Sequence, residues 1–341
     1  MKEIYELWYS LIRDDEPNKI ELLERYTEEE IYNLRLFKEC KKEYLEKAED
    51  IYKYILENNI SYITIKKENY PENLRNIDYP PYLLYYKGNL DVLKRRIVAI
   101  VGARKCTNYG IEVTKILTNL LNSYNISIIS GGARGIDTVS HKVCLENGIP
   151  TIVVLGCGIN IAYPRENKSL FEVVQKRGLI LSEFPPNTQP YKMNFPQRNR
   201  IISALSEIVI VTEAAKNSGS LITASYASKQ GKDVMAVPGS ILSGLSKGTN
   251  QLIEDGAIVI SDFDSIRVKL KLPLDDSNGN LNEFEQKINN IITNEPIHIN
   301  DLIKSSKMEY TLILKTLFKL QEKNKVVCLP GEYYVKTTWD Y

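Results

Sequence analysis

The chain has 341 residues, more than one ordinary domain, and 43% of them are hydrophobic, enough to fill a proper core. Its 44 basic and 43 acidic residues leave a formal charge of +1, which excludes a bulk polycation that would coat nucleic acid; any anion site must come from local clustering. Five scattered cysteines without a Cys-x-x-Cys pair, only two histidines (His141 and His298) and no apolar leader or membrane-length run argue for a cytoplasmic protein with no disulfide framework, no metal site and no Ser-His-Asp triad.

Residues 1–64 mix charges with Leu, Ile and Tyr at helical spacing, as in Ala48-Glu-Asp-Ile51-Tyr-Lys-Tyr-Ile55, and predict a small helical domain. Prolines near Tyr70-Pro71 and Tyr79-Pro80-Pro81 break that pattern, and Leu83 to Tyr86 reads as a short strand leading into the core. From Arg96 to about Ser261, within a domain expected over residues 65–270, short β-branched runs alternate with helical stretches: Ile97 to Val101, Ile126 to Ile129, Thr151 to Leu155, Leu179 to Leu181, Ile208 to Val211, Val234 to Val237 and Ala257 to Ile260. Such runs suit strands buried on both faces, so the fold class expected is α/β, an extended Rossmann-like doubly wound sheet. Residues 271–282 are polar and turn-rich and read as a linker. Residues 283–341 show three helical patterns and a hairpin, the order of a winged-helix-like domain.

Two strands run into glycine turns that carry arginines. Backbone N–H groups at such turns point out from the carboxyl ends of the strands, where anions bind in doubly wound sheets. The first, Gly102-Ala-Arg104-Lys105, is equally a phosphate clamp and a tight turn with two solvated cations. The second, Ser130-Gly131-Gly132-Ala-Arg134-Gly135-Ile-Asp137, is more specific because paired glycines allow close backbone approach. Asp137 reads there as a helix cap rather than a catalytic acid, and His141 as a packing residue. The third strand leads through Gly156-Cys-Gly158 to Tyr163-Pro164-Arg165, which adds a cation, here Arg165, at the same edge. No Gly-x-Gly-x-x-Gly follows the first strand, so a dinucleotide cofactor is not expected.

The stretch Tyr191-Lys192-Met-Asn-Phe195-Pro-Gln-Arg198-Asn199-Arg200 places cations around an aromatic ring, the ingredients of single-strand binding, in preference to a basic loop with Phe195 in the core. Ser218-Gly-Ser220 can present hydroxyls and amides to an anion, or simply cap a helix, and Lys247-Gly-Thr-Asn250 is similarly a pocket closure or a cap. The 22 tyrosines fit half-buried helix and strand positions and do not argue for DNA binding.

Taken in order over residues 70 to 260, these motifs resemble the DNA-processing protein A family, also called DprA or Smf. The matching pieces include Tyr70-Pro-Glu-Asn-Leu74, Val98-Ala-Ile-Val-Gly-Ala-Arg-Lys105, Ser130 to Asp137, Phe195-Pro-Gln-Arg-Asn-Arg-Ile-Ile202, Ser218-Gly-Ser-Leu-Ile-Thr-Ala224 and Ala236-Val-Pro-Gly239. Ala103 departs from the family's usual Gly-Ser-Arg turn and removes a hydroxyl contact. The resemblance implies a non-catalytic protein that binds single-stranded DNA and loads the RecA recombinase in natural transformation or related recombination, works as a homodimer through its Rossmann domain and needs no cofactor. It also implies a DNA pocket lined by Arg104, Gly131, Gly132, Arg134 and the Lys192 to Arg200 segment; Gly102, Lys105, Arg165, Ser218 and Ser220 join them by position. The terminal domains would then be a sterile-alpha-motif-like module and a winged helix. The rival reading is a nucleotide-binding enzyme of the phosphoribohydrolase type, whose Pro-Gly-Gly-x-Gly-Thr-x-x-Glu turn is missing from the corresponding Glu213 to Thr223 region.

Overall fold

The computed structural model describes residues 1–16, 18–273, 281–323 and 325–336; most of the linker expected at 271–282 lies outside the described residues. The chain forms two compact units, Met1–Ile266 and Arg267–Tyr341.

The first unit is organised by a nine-stranded sheet. Its strands are β1 (Ser61–Thr64), β2 (Leu83–Gly88), β3 (Ile97–Val101), β4 (Ser127–Ser130), β5 (Ile152–Leu155), β6 (Leu179–Ser182), β7 (Ile208–Val211), β8 (Asp233–Ala236) and β9 (Ile258–Val259), in the order β1-β2-β6-β5-β4-β3-β7-β8-β9. β3 to β7 are buried at every position, which is why their sequences are dominated by Val, Ile and Leu, with small Ala99, Ser127, Ser130 and Ser182, rather than alternating. All pairings from β6 to β9 are parallel. The chain steps outward from β3 to β4, β5 and β6, then returns to the other side of β3 to lay down β7, β8 and β9. The order therefore reverses between β3 and β7, and the carboxyl ends of those strands frame the crevice where a doubly wound sheet accepts ligands. The molecule is Rossmann-like, as the strand pattern predicts.

One difference from the sequence reading lies at the boundary of the helical segment. Ser61–Thr64 is a strand, antiparallel to β2, which is itself antiparallel to β6. The β-branched run around Ile60, Ile63, Thr64 and Ile65 suits an edge position better than a helix.

The N-terminal helices Lys2–Ser10, Lys19–Leu22, Glu28–Asn33 and Lys42–Glu57 pack on that outer edge of the sheet. Thr27 and Glu30 form a reciprocal capping box that starts Glu28–Asn33. Trp8, Tyr9, Ile31 and Ala48 are fully buried. Tyr9 packs edge-on against Tyr82 at 4.8 Å between ring centroids, and Trp8 donates its indole N–H to the Glu39 carbonyl at 2.8 Å. These large rings place the helices and the outer strands in one hydrophobic core.

In the second unit, helices Glu283–Ile291, Ile299–Ser306 and Tyr310–Glu322 enclose Ile288, Leu302, Ile313 and Leu317. They are accompanied by strands β10 (Ile297–His298), β11 (Val326–Leu329) and β12 (Tyr333–Lys336), antiparallel in the order β10-β12-β11. Asn282 and Glu285 cap the first helix reciprocally. Among the described residues of the whole chain, no helix is long and apolar enough to cross a membrane.

Candidate nucleic-acid interface

The crevice is built from turns at the carboxyl ends of adjacent strands. After β3 the chain turns through Gly102 to Cys106 and enters the helix Asn108–Ser123, whose first turn Thr107 caps by accepting the Gly110 N–H at 3.2 Å. The Ala103 N–H donates to the Glu213 carbonyl, just past β7, at 2.7 Å. Both carboxylate oxygens of Glu213 are also engaged, accepting the Thr107 N–H and hydroxyl at 2.8 Å each. A buried glutamate thus pins the first turn to the neighbouring strand across the switch point. With the backbone held, Arg104 and Lys105 extend into solvent.

The second turn, after β4, packs directly behind the first. The Ile136 N–H donates to the Ala103 carbonyl at 3.3 Å, and a Cβ at Gly135 would collide with that carbonyl, so glycine is required there. Asp137 is not the cap of the helix Ile136–Glu146; Gly135 holds that position. The carboxylate of Asp137 instead accepts the Gly131 and Ala133 N–H groups at 3.1 and 3.2 Å. Two amides that the sequence offered to an anion are therefore consumed within the turn. Asn167 completes the lock by donating to the Gly132 carbonyl at 2.9 Å. Arg134 is exposed but forms an ion pair with Glu166, its Nε donating at 3.0 Å, so its charge is shared rather than free. Arg165, next to that glutamate, is exposed.

The helix Asn194–Leu205 supplies the third component. Phe195 is half-buried; its ring presses on the turn after β5, so that a Cβ at Gly156 would lie 2.7 Å from the ring. The Tyr163 ring lies beside it with centroids 5.4 Å apart, and the Arg104 guanidinium sits 5.8 Å from the Phe195 centroid, within cation–π range. A cation and two rings from two turns and a helix meet at one spot. Tyr163 was absent from the residues expected to bind, although its motif was recognised; only the packing against Phe195 reveals it. Lys192 and its neighbours Tyr191 and Met193 are exposed at the start of this segment.

Arg198, Asn199 and Arg200 correct the sequence reading, which placed them among the groups presented to a ligand. All three are buried. Arg198 donates to the carbonyls of Gly131, at 2.9 Å, and Val154, joining the ends of β4 and β5. Burial lowers its pKa to about 10, with the nearby Asp137 carboxylate opposing the shift. Asn199 donates to the Gly219 carbonyl at 3.3 Å. Arg200 grips Glu183 in a two-point ion pair, with donor–acceptor distances of 2.9 and 2.7 Å. The helix is buried at every position from Arg198 to Leu205, so these three side chains are enclosed although consecutive residues leave it in different directions.

Ser218 caps the helix Gly219–Lys229, accepting the Ser220 N–H at 3.4 Å, and the two hydroxyls lie 2.8 Å apart. The Lys247 to Asn250 stretch is similarly internal: Asn250 bonds both the N–H and the carbonyl of Gly239, and Gly248 donates to Ala214 at 2.7 Å. His141 is fully buried, its Nδ1 2.7 Å from the Thr151 hydroxyl, and burial, reinforced by Arg198, pushes its pKa down to about 3. It is a neutral packing residue.

A sequence model of the DNA recombination-mediator protein A family matches residues 61–271, the whole of the sheet and the crevice. The chain belongs to this family. It is 47% identical over 199 residues to DNA processing protein DprA of Streptococcus pneumoniae, covering 58% of this chain and 70% of that protein. The Bacillus subtilis DprA is 43% identical over 211 residues, covering 62% and 71%. The X-ray structure of S. pneumoniae DprA superposes with a TM-score of 0.69 at 38% identity, over 79% of this chain and 97% of that one. DNA processing protein A of Helicobacter pylori, in a structure concerned with its single-stranded DNA binding mode, superposes with a TM-score of 0.57 at 32% identity, over 62% and 96%. The family match fits the strand order and turns already described, since both glycine turns and the Phe195 helix fall inside it.

Proposed function

We propose that this chain binds single-stranded DNA across the carboxyl edge of β3, β4 and β5 and, as a homodimer, passes it to the RecA recombinase in the cytoplasm during transformation or related recombination. The observation that carries this reading is the cluster of Arg104, Phe195 and Tyr163. The exposed cations Arg104, Lys105, Arg165 and Lys192 suit a sugar-phosphate backbone, and phosphate contacts of this kind are indifferent to sequence. Tyr163, 39% exposed, and Phe195 offer ring surface on which a base can stack, worth about 1–3 kcal/mol per base. A duplex hides its base faces, so this combination favours an unpaired strand. The single-strand-binding relative from H. pylori supports the same reading.

The role is read as non-catalytic. Glu213, the carboxylate nearest in sequence to the nucleotide-hydrolase signature, spends both oxygens on Thr107. The domain assignment proposed is 65–270 for DNA contact, with residues 1–64 and a winged-helix-like 283–341 as accessory modules. The test is fluorescence anisotropy of a labelled oligonucleotide, competed with unlabelled single-stranded or duplex DNA. Single strands should compete far better. Equal competition, or no binding at all, would overturn the proposal. RecA loading is tested separately by following RecA ATP hydrolysis on DNA already coated with single-strand-binding protein, which this chain should accelerate.

A further inference from the structure

The N-terminal helices are joined to the crevice by a chain of charges, buried at Lys19, Arg200 and Glu183 and half-buried at Asp14, that the DNA contact does not use. Lys19 is 1% exposed. Its ammonium donates to the Ile12 carbonyl and, at 2.6 Å, to Asp14, while lying 5.7 Å from the ring centroids of both Tyr9 and Tyr82. Asp14 then reaches out of the helical segment: its second oxygen accepts from Arg200 at 3.4 Å. Arg200 also donates to the Tyr79 carbonyl at 3.0 Å and holds Glu183 bidentately just beyond β6. Arg200 lies five positions along the same helix from Phe195, with Arg198 between them.

Taking charges out of water is costly unless each is paired and hydrogen-bonded. A hydrophobic core alone would hold the helices to the sheet, as the rings of Tyr9 and Tyr82 do. The ionic chain adds something a greasy contact cannot, a direction: Glu183 fixes the Arg200 guanidinium bidentately, and the donor left over is aimed at Asp14 at 3.4 Å. Three partners from three parts of the chain, Asp14, the Tyr79 carbonyl and Glu183, fix one side of Arg200's helix, while Arg198 fixes the turns after β4 and β5.

We infer that Asp14, held by Lys19, is a remote positioning residue for the helix Asn194–Leu205, so that the state of the N-terminal helices sets the placement of Phe195 in the crevice. Its consequence for DNA rests on the function proposed above; its consequence for the helix does not. Anything that docks on the N-terminal helices and shifts Asp14 then changes affinity in the crevice without touching it, and by reciprocity DNA in the crevice steadies residues around Asp14.

The test uses the full chain and the charge-balanced pair Asp14→Asn with Lys19→Met, which removes one half-buried anion and one buried cation together and leaves Arg200 and Glu183 paired. Hydrogen exchange followed by mass spectrometry, without DNA, should show faster exchange across residues 194–200 while the urea midpoint stays close to that of the parent. Affinity for a labelled oligo(dT) should fall roughly two- to thirtyfold, the range for residues that couple sites without touching ligand. Asp14→Glu with Lys19 retained should restore part of that loss, whereas a residue that serves stability alone would move affinity only in step with the midpoint. Unchanged exchange at 194–200 in the double variant overturns the inference. Faster exchange together with parental affinity overturns its link to the crevice. If the parent binds no oligonucleotide yet the variant exchanges faster, the proposed function fails while the positioning role stands. Should the double variant not fold, the parent alone decides: oligo(dT) must slow exchange at residues 11–19 as well as at 194–200, and protection confined to 194–200 contradicts the inference.

Discussion

The first glycine turn and the helix Asn194–Leu205 both bring arginines to the carboxyl edge of the sheet, yet they use them in opposite ways. Arg104 stands in solvent over the Phe195 ring, on a backbone fixed by Glu213. Arg198 and Arg200 turn inward and spend their donors on Gly131, Val154, Tyr79 and Glu183. The outer set is proposed to meet phosphate; the inner set holds the turns and the helix in place. Identical side chains separate into ligand contact and framework by whether the local element is exposed, as at Arg104, or enclosed, as the helix is from Arg198 onward. Mutations should therefore split cleanly into those that cost affinity and those that cost stability.

The largest effect expected is on the inner side. Arg198→Ala removes a buried cation near Asp137 and strips the donor from two buried carbonyls, and each unsatisfied buried polar group costs about 1–3 kcal/mol. Urea unfolding would measure it, and a loss below about 1 kcal/mol, at the level of an exposed ion pair, would return Arg198 to the outer set. On the outer side, Phe195→Ala should weaken oligonucleotide binding by about 1–3 kcal/mol if the ring stacks a base. The matching test of its seat is Gly156→Ala, which must push the ring away and so reproduce part of that loss.

The inner side is also pH-sensitive. The folded chain keeps His141 neutral down to about pH 3, whereas the unfolded histidine titrates near 6.5. Below 6.5 the unfolded state binds a proton that the folded state refuses, so stability falls as pH falls. Between pH 7 and 5 the loss should be about 2 kcal/mol, and His141→Gln should flatten that part of the profile. An unchanged profile in the variant would remove His141 from the account.

Much of this was legible before the structure. Short β-branched runs such as Ile97–Val101 suit strands buried on both faces, and glycine turns after them mark a sheet's binding edge. The direction of individual side chains was not legible. A run of Arg198, Asn199 and Arg200 reads as basic in sequence, and nothing local says that the helix carrying it is enclosed on every side from residue 198 onward. Asp137 is a similar case: an acid near a helix start suggests a cap, but the glycine turn upstream folds back and supplies the donors. Ser61–Thr64 was missed because its partner β2 lies about twenty residues away, beyond any local pattern.

The smallest predicted change tests the central claim most directly. Oligonucleotide binding is measured by anisotropy over a series of salt concentrations for the parent chain and for Arg104→Ala, with urea unfolding on both. If Arg104 meets a phosphate, the slope of log K against log salt becomes shallower by about 0.7, the value for one contact on a single strand, while the unfolding midpoint stays put. An unchanged slope with parental affinity would contradict the division between contact and framework arginines.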